Sequence, residues 1–185
     1  MNKKLEKFAA EHGMLCSGGC LYGTYNGCQV SVQSGSTWLS AMFVVGFHVC
    51  LGSEAGEFFA WLGSQKKHLH IGQVKEGRCG FFCTFPNMTL SGSLKKIHAL
   101  LDAVTGRLAA LGIGGEKCPY CGEILGEDRI VEEGGCLFRA HEHCFEERLA
   151  QVKDIEAAEA EKPGNYLAGF FGALVGGIVG MLIFW

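Results

Sequence analysis

The chain has 185 residues, with 16 Lys and Arg against 19 Asp and Glu and a formal charge of −3. No basic footprint marks a nucleic-acid binder, and nucleic acid is excluded as an expected partner. Roughly 165 residues precede an uncharged hydrophobic C-terminus, which is room for one ordinary globular core and one small metal-stapled module. Ten cysteines would suit a secreted disulfide framework. The N-terminus MNKKLEKFAAEH is charged and amphipathic, however, and lacks the apolar core of a signal peptide, so a reducing cytosol is expected for the soluble part.

Residues 3–12 read as a short helix with Leu5, Phe8 and Ala9 on one side. In LYGTYNGCQVSVQ, Asn26-Gly27 between alternating segments predicts a hairpin, because both turn positions require positive φ. WLSAMFVVGFHVCL is almost continuously apolar and is expected at the centre of the sheet. Ser53 is placed to cap a helix carrying Ala55, Phe58, Phe59 and Leu62, and HLHIGQV and CGFFCTF follow as a further strand pair. Leu94, Ile97, Leu101, Val104, Leu108 and Leu111 recur at spacings of three and four, predicting an amphipathic helix over 93–111 that stops at Gly112.

This order of helix, three strands, helix, two strands and helix defines an α+β class: an N-terminal antiparallel sheet of roughly five strands with packed helices over residues 1–112. It resembles, at the level of fold alone, the type III secretion chaperones and the YbjN-like domains. No Ser/His/Asp order, phosphate-cradling glycine loop or paired-acid motif occurs there, so binding rather than catalysis is expected of this domain. His48, His68, His70 and His98 have no ligand set close in sequence and read as structural or exposed. Cys16, Cys20, Cys28, Cys50, Cys79, Cys83 and Cys136 lie among apolar residues and glycines and read mostly as packed thiols. The C-x3-C pairs Cys16/Cys20 and Cys79/Cys83 leave a second site open. On a regular strand, though, Cys79 and Cys83 would lie about 13 Å apart and could share an ion only across a bulge.

The strongest chemical signal comes next. CPYCG and AHEHC together give C-x2-C-x19-H-x2-C through Cys118, Cys121, His141 and Cys144, two close pairs of the kind that bind a structural Zn2+ tetrahedrally. Proline and glycine permit the tight turn around the first pair, and ILGEDRIVEEGGCLFRA predicts a hairpin turning at Gly134-Gly135. The second pair is expected at the start of a helix, where residues three apart share a side. His143 and Cys136 are the competing ligands. Knuckle, hairpin and helix-borne pair over residues 118–144 resemble a treble-clef finger or half of a LIM domain, without the second finger that LIM proteins carry. CPYC also matches the glutaredoxin motif, but a thioredoxin-like domain would need far more chain after it, including a suitably placed proline. Further along the helix Phe145, Leu149 and Val152 are expected to dock on the finger, with AAEAEK beyond them as a polar spacer.

Tyr166 to Trp185 is 20 residues without a charge, enough for a transmembrane helix. Gly172, Gly176 and Gly180 form a smooth face for a partner helix within the bilayer. Arg148, Lys153 and Lys162 precede the span and place the finger on the cytoplasmic side. Ending on the last residue of a span, the chain reads as truncated. The expected organisation is therefore 1–112 α+β domain, 113–150 finger, 151–165 spacer and juxtamembrane linker, and 166–185 membrane helix. CPYCGE, EKPGNYL and the glycine-rich span resemble uncharacterised multi-spanning membrane proteins of Gram-positive bacteria, a resemblance that implies location and no activity. The reading is a membrane-anchored, cytosol-facing zinc protein acting as adaptor, sensor or assembly platform, with a protein partner for the α+β domain. The alternatives are a thiol-dependent enzyme using Cys16 and Cys20, and the regulatory domain of a transporter or channel.

Overall fold

A computed structural model describes residues 3–37, 40–85 and 90–160. Helix α1 (Lys3–Glu11) leads into β1 (Leu15–Ser17), β2 (Cys20–Tyr25), β3 (Cys28–Thr37) and β4 (Ser40–His48). Then come α2 (Ala55–Gln65), β5 (Gln73–Gly77), β6 (Gly80–Phe85) and α3 (Leu90–Ala110). A second hairpin, β7 (Asp128–Glu133) and β8 (Cys136–His141), precedes α4 (Glu142–Ala160). The first six strands form one antiparallel sheet in the order β1-β2-β3-β4-β6-β5. As its apolar run predicts, β4 is central.

Two local signals act as their chemistry requires. Asn26 and Gly27 turn the β2–β3 hairpin at φ 47° and 77°, the left-handed pair of a type I′ turn. Gly112, at φ 70°, ends α3 in a Schellman motif: its N–H donates to Ala109 O at 3.0 Å and that of Ile113 to Leu108 O at 2.9 Å.

Three expectations require correction. The sheet has six strands, because the CSGGC segment turns at Gly18-Gly19 (φ 58° and 84°) and adds the short edge strand β1. HLHIGQV is not one strand: residues 66–71 wind out of α2, with Ile71 N–H on Lys66 O at 2.9 Å, and β5 starts only at Gln73. His68 and His70 are both exposed in that turn and share no strand face. Ser53 does not cap α2. The N-cap is Glu54 without a side-chain cap, and the Ser53 hydroxyl donates to the Glu54 carboxylate at 2.9 Å.

The sheet has two dissimilar faces, set by strict alternation in β3 and β4. Val30, Val32, Val45 and Phe47 point to the helices and share a core with Phe58, Leu62, Ile97, Leu101 and Val104. Phe47 and Phe81 stack within it at 4.9 Å. Gln29, Ser31, Gly46 and His48 occupy the alternate positions and face the β7–β8 hairpin. There, Phe138 stacks on the His48 ring at 4.3 Å and 17°.

Among the described residues, those up to Glu146 form one compact unit and those from Glu147 onward belong to another. The segment between Gly112 and the first ligand pair is built onto the sheet. The Gly115 N–H donates to Gly27 O at 2.6 Å, and the Gln29 amide donates to Lys117 O at 3.0 Å. On α4, Phe145 packs against the finger cluster, while Leu149 is 41% exposed. Among the described residues no helix is long and apolar enough to cross a membrane. The span expected at 166–185, with Gly172, Gly176 and Gly180, lies outside the described residues.

Candidate metal centre

The first ligand pair sits in a knuckle closed by its own backbone. The Cys118 N–H donates to Glu123 O and the Gly122 N–H to Cys118 O, both at 2.8 Å. Pro119 presets the turn, and Gly122 completes it at φ 77°. Gly122 has a second reason to lack a side chain, since a methyl group there would lie 3.3 Å from Cys50 Sγ. Lys117 and Ile124 bridge the base of the knuckle, and the Leu125 N–H donates to Glu116 O at 2.8 Å.

The second pair comes from a strand-to-helix junction. His141 is the last residue of β8 rather than a helical residue, and Cys144 lies in the first turn of α4. The β7–β8 hairpin turns at Gly134-Gly135 with φ 62° and 79°. Its register sets Asp128 opposite His141, and Asp128 holds Arg139 through two hydrogen bonds of 2.6 and 2.9 Å.

These elements bring Cys118, Cys121, His141 and Cys144 together, with their four ligand atoms all within 4.8 Å of one another. Cys121 Sγ and Cys144 Sγ lie 3.5 and 4.0 Å from His141 Nδ1. A tetrahedral ion with metal–sulfur bonds near 2.3 Å and a metal–nitrogen bond near 2.0 Å has edges of roughly 3.5–3.8 Å, so the cluster needs little adjustment to close around one. The imidazole is also oriented for it. His141 Nε2 lies 3.1 Å from Ile124 O, and a carbonyl only accepts, so Nε2 carries the proton and Nδ1 turns its lone pair toward the three sulfurs.

The electrostatics suit a cation. Burial works against the Cys118 thiolate, but the backbone N–H groups of Cys121, His141 and Tyr120 outweigh it and hold this thiol below its ordinary value. Cys144 moves the other way, pushed up to about 12 by burial and then by the neighbouring Cys121 and Cys118 sulfurs. Closely placed thiols cannot all ionise against one another, whereas a bound dication lets all three do so. Three sulfurs and one imidazole suit a thiophilic transition-metal ion rather than Ca2+ or Mg2+, which take oxygen ligands.

Neither C-x3-C pair joins a metal cluster, since the tetrad is the one such group among the described residues. Cys79 packs on the finger side of the sheet and Cys83 in the helix-side core, so they belong to different clusters. Burial pushes the Cys83 thiol up to about 12 and that of Cys28 up to about 11. Cys20 is also pushed up by burial, and Cys16 on the adjoining strand is half-buried. Cys136, the second-choice ligand, is buried at the start of β8 outside the tetrad. Of the thiols outside the tetrad only Cys50 is exposed.

Sequence reasoning missed the polar residues that join the finger to the sheet. Gln29 donates to Lys117 O and Arg139 O at 3.0 Å each and accepts from the Arg139 N–H at 2.7 Å. Beside it, Ser31 Oγ and His48 Nε2 lie 2.8 Å apart, both fully buried. The only signal was Gln29, Ser31 and Gln33 alternating with valines, which reads equally as a solvated face. Fold and donor set define an α+β protein carrying a Cys3His site able to hold a metal ion. No family model, curated protein or solved structure matches the chain.

Proposed function

We propose that the chain is a membrane-anchored zinc protein in which Cys118, Cys121, His141 and Cys144 hold one structural Zn2+. The convergence of their ligand atoms within 4.8 Å carries this reading. Zinc accepts the tetrahedral arrangement without electronic preference and favours thiolate with imidazole. Four protein donors leave no position for a substrate water, so the ion staples the structure rather than performing hydrolysis. The succession of knuckle, β7–β8 hairpin and α4 supports the treble-clef resemblance. With the finger on one face of the sheet and helices on the other, the unit acts as an adaptor, sensor or assembly platform for a protein partner.

The uncharged run from Tyr166 to Trp185 supports a bilayer anchor, with Gly172, Gly176 and Gly180 contacting a partner helix. Arg148, Lys153 and Lys162 ahead of it, together with a thiol-rich soluble part, support a cytoplasmic orientation. A thiol enzyme built on Cys16 and Cys20 has less behind it, because burial pushes the Cys20 thiol up.

Metal content of the full chain in detergent, purified without added metal, tests the zinc reading. About one zinc per chain is expected, lost in the Cys118→Ser/Cys121→Ser variant. A metal-free wild type with Cys118 and Cys121 joined as a disulfide would overturn it in favour of thiol redox chemistry. Membrane flotation tests the anchor: residues 1–185 should float with lipid vesicles and residues 1–160 should not.

A further inference from the structure

His143 is the nitrogen donor that the zinc reading leaves over. It lies in the first turn of α4, between His141 and Cys144 in sequence, and its side chain is exposed. Neighbours on a helix diverge by about 100°, which would ordinarily carry it away from Cys144. Instead, His143 Nε2 turns back to 3.3 Å from Cys144 Sγ. Its ring stacks on that of His141 with centroids 5.3 Å apart and planes 13° apart. Nε2 of His143 is therefore nearer that sulfur than His141 Nδ1, which lies 4.0 Å away. Both histidines line one surface cleft with Glu127 and Glu146, so the second imidazole stands where an ion would enter or leave.

We propose that His143 is an alternate nitrogen ligand, and that the bound ion exchanges His141 for His143 while Cys118, Cys121 and Cys144 keep hold of it. The inference rests on the zinc reading above. In the exchange the metal–Nδ1 bond to His141 breaks as a metal–Nε2 bond to His143 forms. Zinc tolerates a transient fifth ligand, so the two events can overlap. Both imidazoles bind as neutral donors, so the charge of the site is unchanged and no electron is transferred; the proton that His143 Nε2 lends to the Cys144 thiolate moves to its own Nδ1 through solvent before Nε2 takes the metal. Rotation about the side-chain bonds of an exposed histidine supplies the movement. His141 Nε2 keeps its hydrogen bond to Ile124 O and can hold the ring ready to return. The consequence is a site that passes its ion to a thiol- or imidazole-bearing acceptor faster than a closed tetrahedral site would.

Cobalt substitution of the full chain in detergent tests this, because visible ligand-field bands distinguish three sulfurs with nitrogen from three sulfurs with water. Wild type, His141→Ala and His143→Ala should all give the nitrogen-ligated spectrum. The double variant should lose it, with affinity falling about tenfold or more. A His141→Ala spectrum identical to that of the double variant would overturn the proposal. Should His141→Ala fail to fold, zinc transfer from His143→Ala to a chromogenic chelator decides instead. The rate should drop severalfold, whereas an unchanged or faster rate would mean that His143 merely hydrogen-bonds the Cys144 sulfur. A wild type that binds no cobalt at all would overturn the zinc reading itself, which is a separate result.

Discussion

A methyl group on Gly46 would lie 2.7 Å from Ser31 Oγ and 3.0 Å from His48 Nε2, so these two side chains meet across β3 and β4 only because position 46 is glycine. Gly46→Ala should destabilise the protein by about 1–3 kcal/mol, the usual cost of overpacking, measured as a lowered urea midpoint. His48 brings a pH dependence. Burial depresses its pKa to about 3, well below the ordinary 6.5, so the unfolded chain takes up a proton that the folded chain refuses. The stability from keeping His48 neutral is present above pH 6.5 and falls as pH drops toward 3, at about 1.4 kcal/mol per pH unit. His48→Phe, compared with wild type in the same metal state, should flatten the stability profile between pH 6 and 4. Equal slopes for the two proteins would refute that assignment.

Among the elements, those whose identity is local were legible and those decided by pairing were not. Helix α3 declares itself by its apolar spacing, and the two hairpins by Asn26-Gly27 and Gly134-Gly135, because each signal acts on its own backbone. Strand β1 is three residues long and exists only because β2 offers it an edge. Strand β5 begins after the helix-ending turn at His70, which the strand-like alternation of His68, Leu69, His70 and Ile71 conceals. Gln29 shows the same limit across the sheet, since its partners lie 88 and 110 residues away. Gln29→Ala would leave those part-buried carbonyl and N–H groups without their side-chain partner. It should cost about 2–4 kcal/mol while leaving the metal content unchanged, as read by denaturation and by zinc analysis of one sample.

At the scale of the whole molecule, the finger covers one face of the sheet within residues 1–146 rather than standing apart. Metal removal should therefore be felt beyond the finger. A strong chelator is expected to lower the unfolding temperature and to raise amide exchange in β3 as well as in the β7–β8 hairpin. Faster exchange confined to residues 113–146 would show instead that finger and sheet unfold independently.

The sequence by itself determined the donor set and the class. Cysteine and histidine at knuckle spacing carry their chemistry wherever the chain places them, and apolar periodicity follows from the helical and strand repeats. Only the tertiary structure decided that β3 presents Gln29 and Ser31 to the finger, that His141 ends a strand with Nε2 spent on Ile124, and that His143 folds back onto Cys144. Each of these is a contact or orientation set by the three-dimensional path of the backbone. Spacing along the chain states which donors are available, but not which of their atoms will face one another.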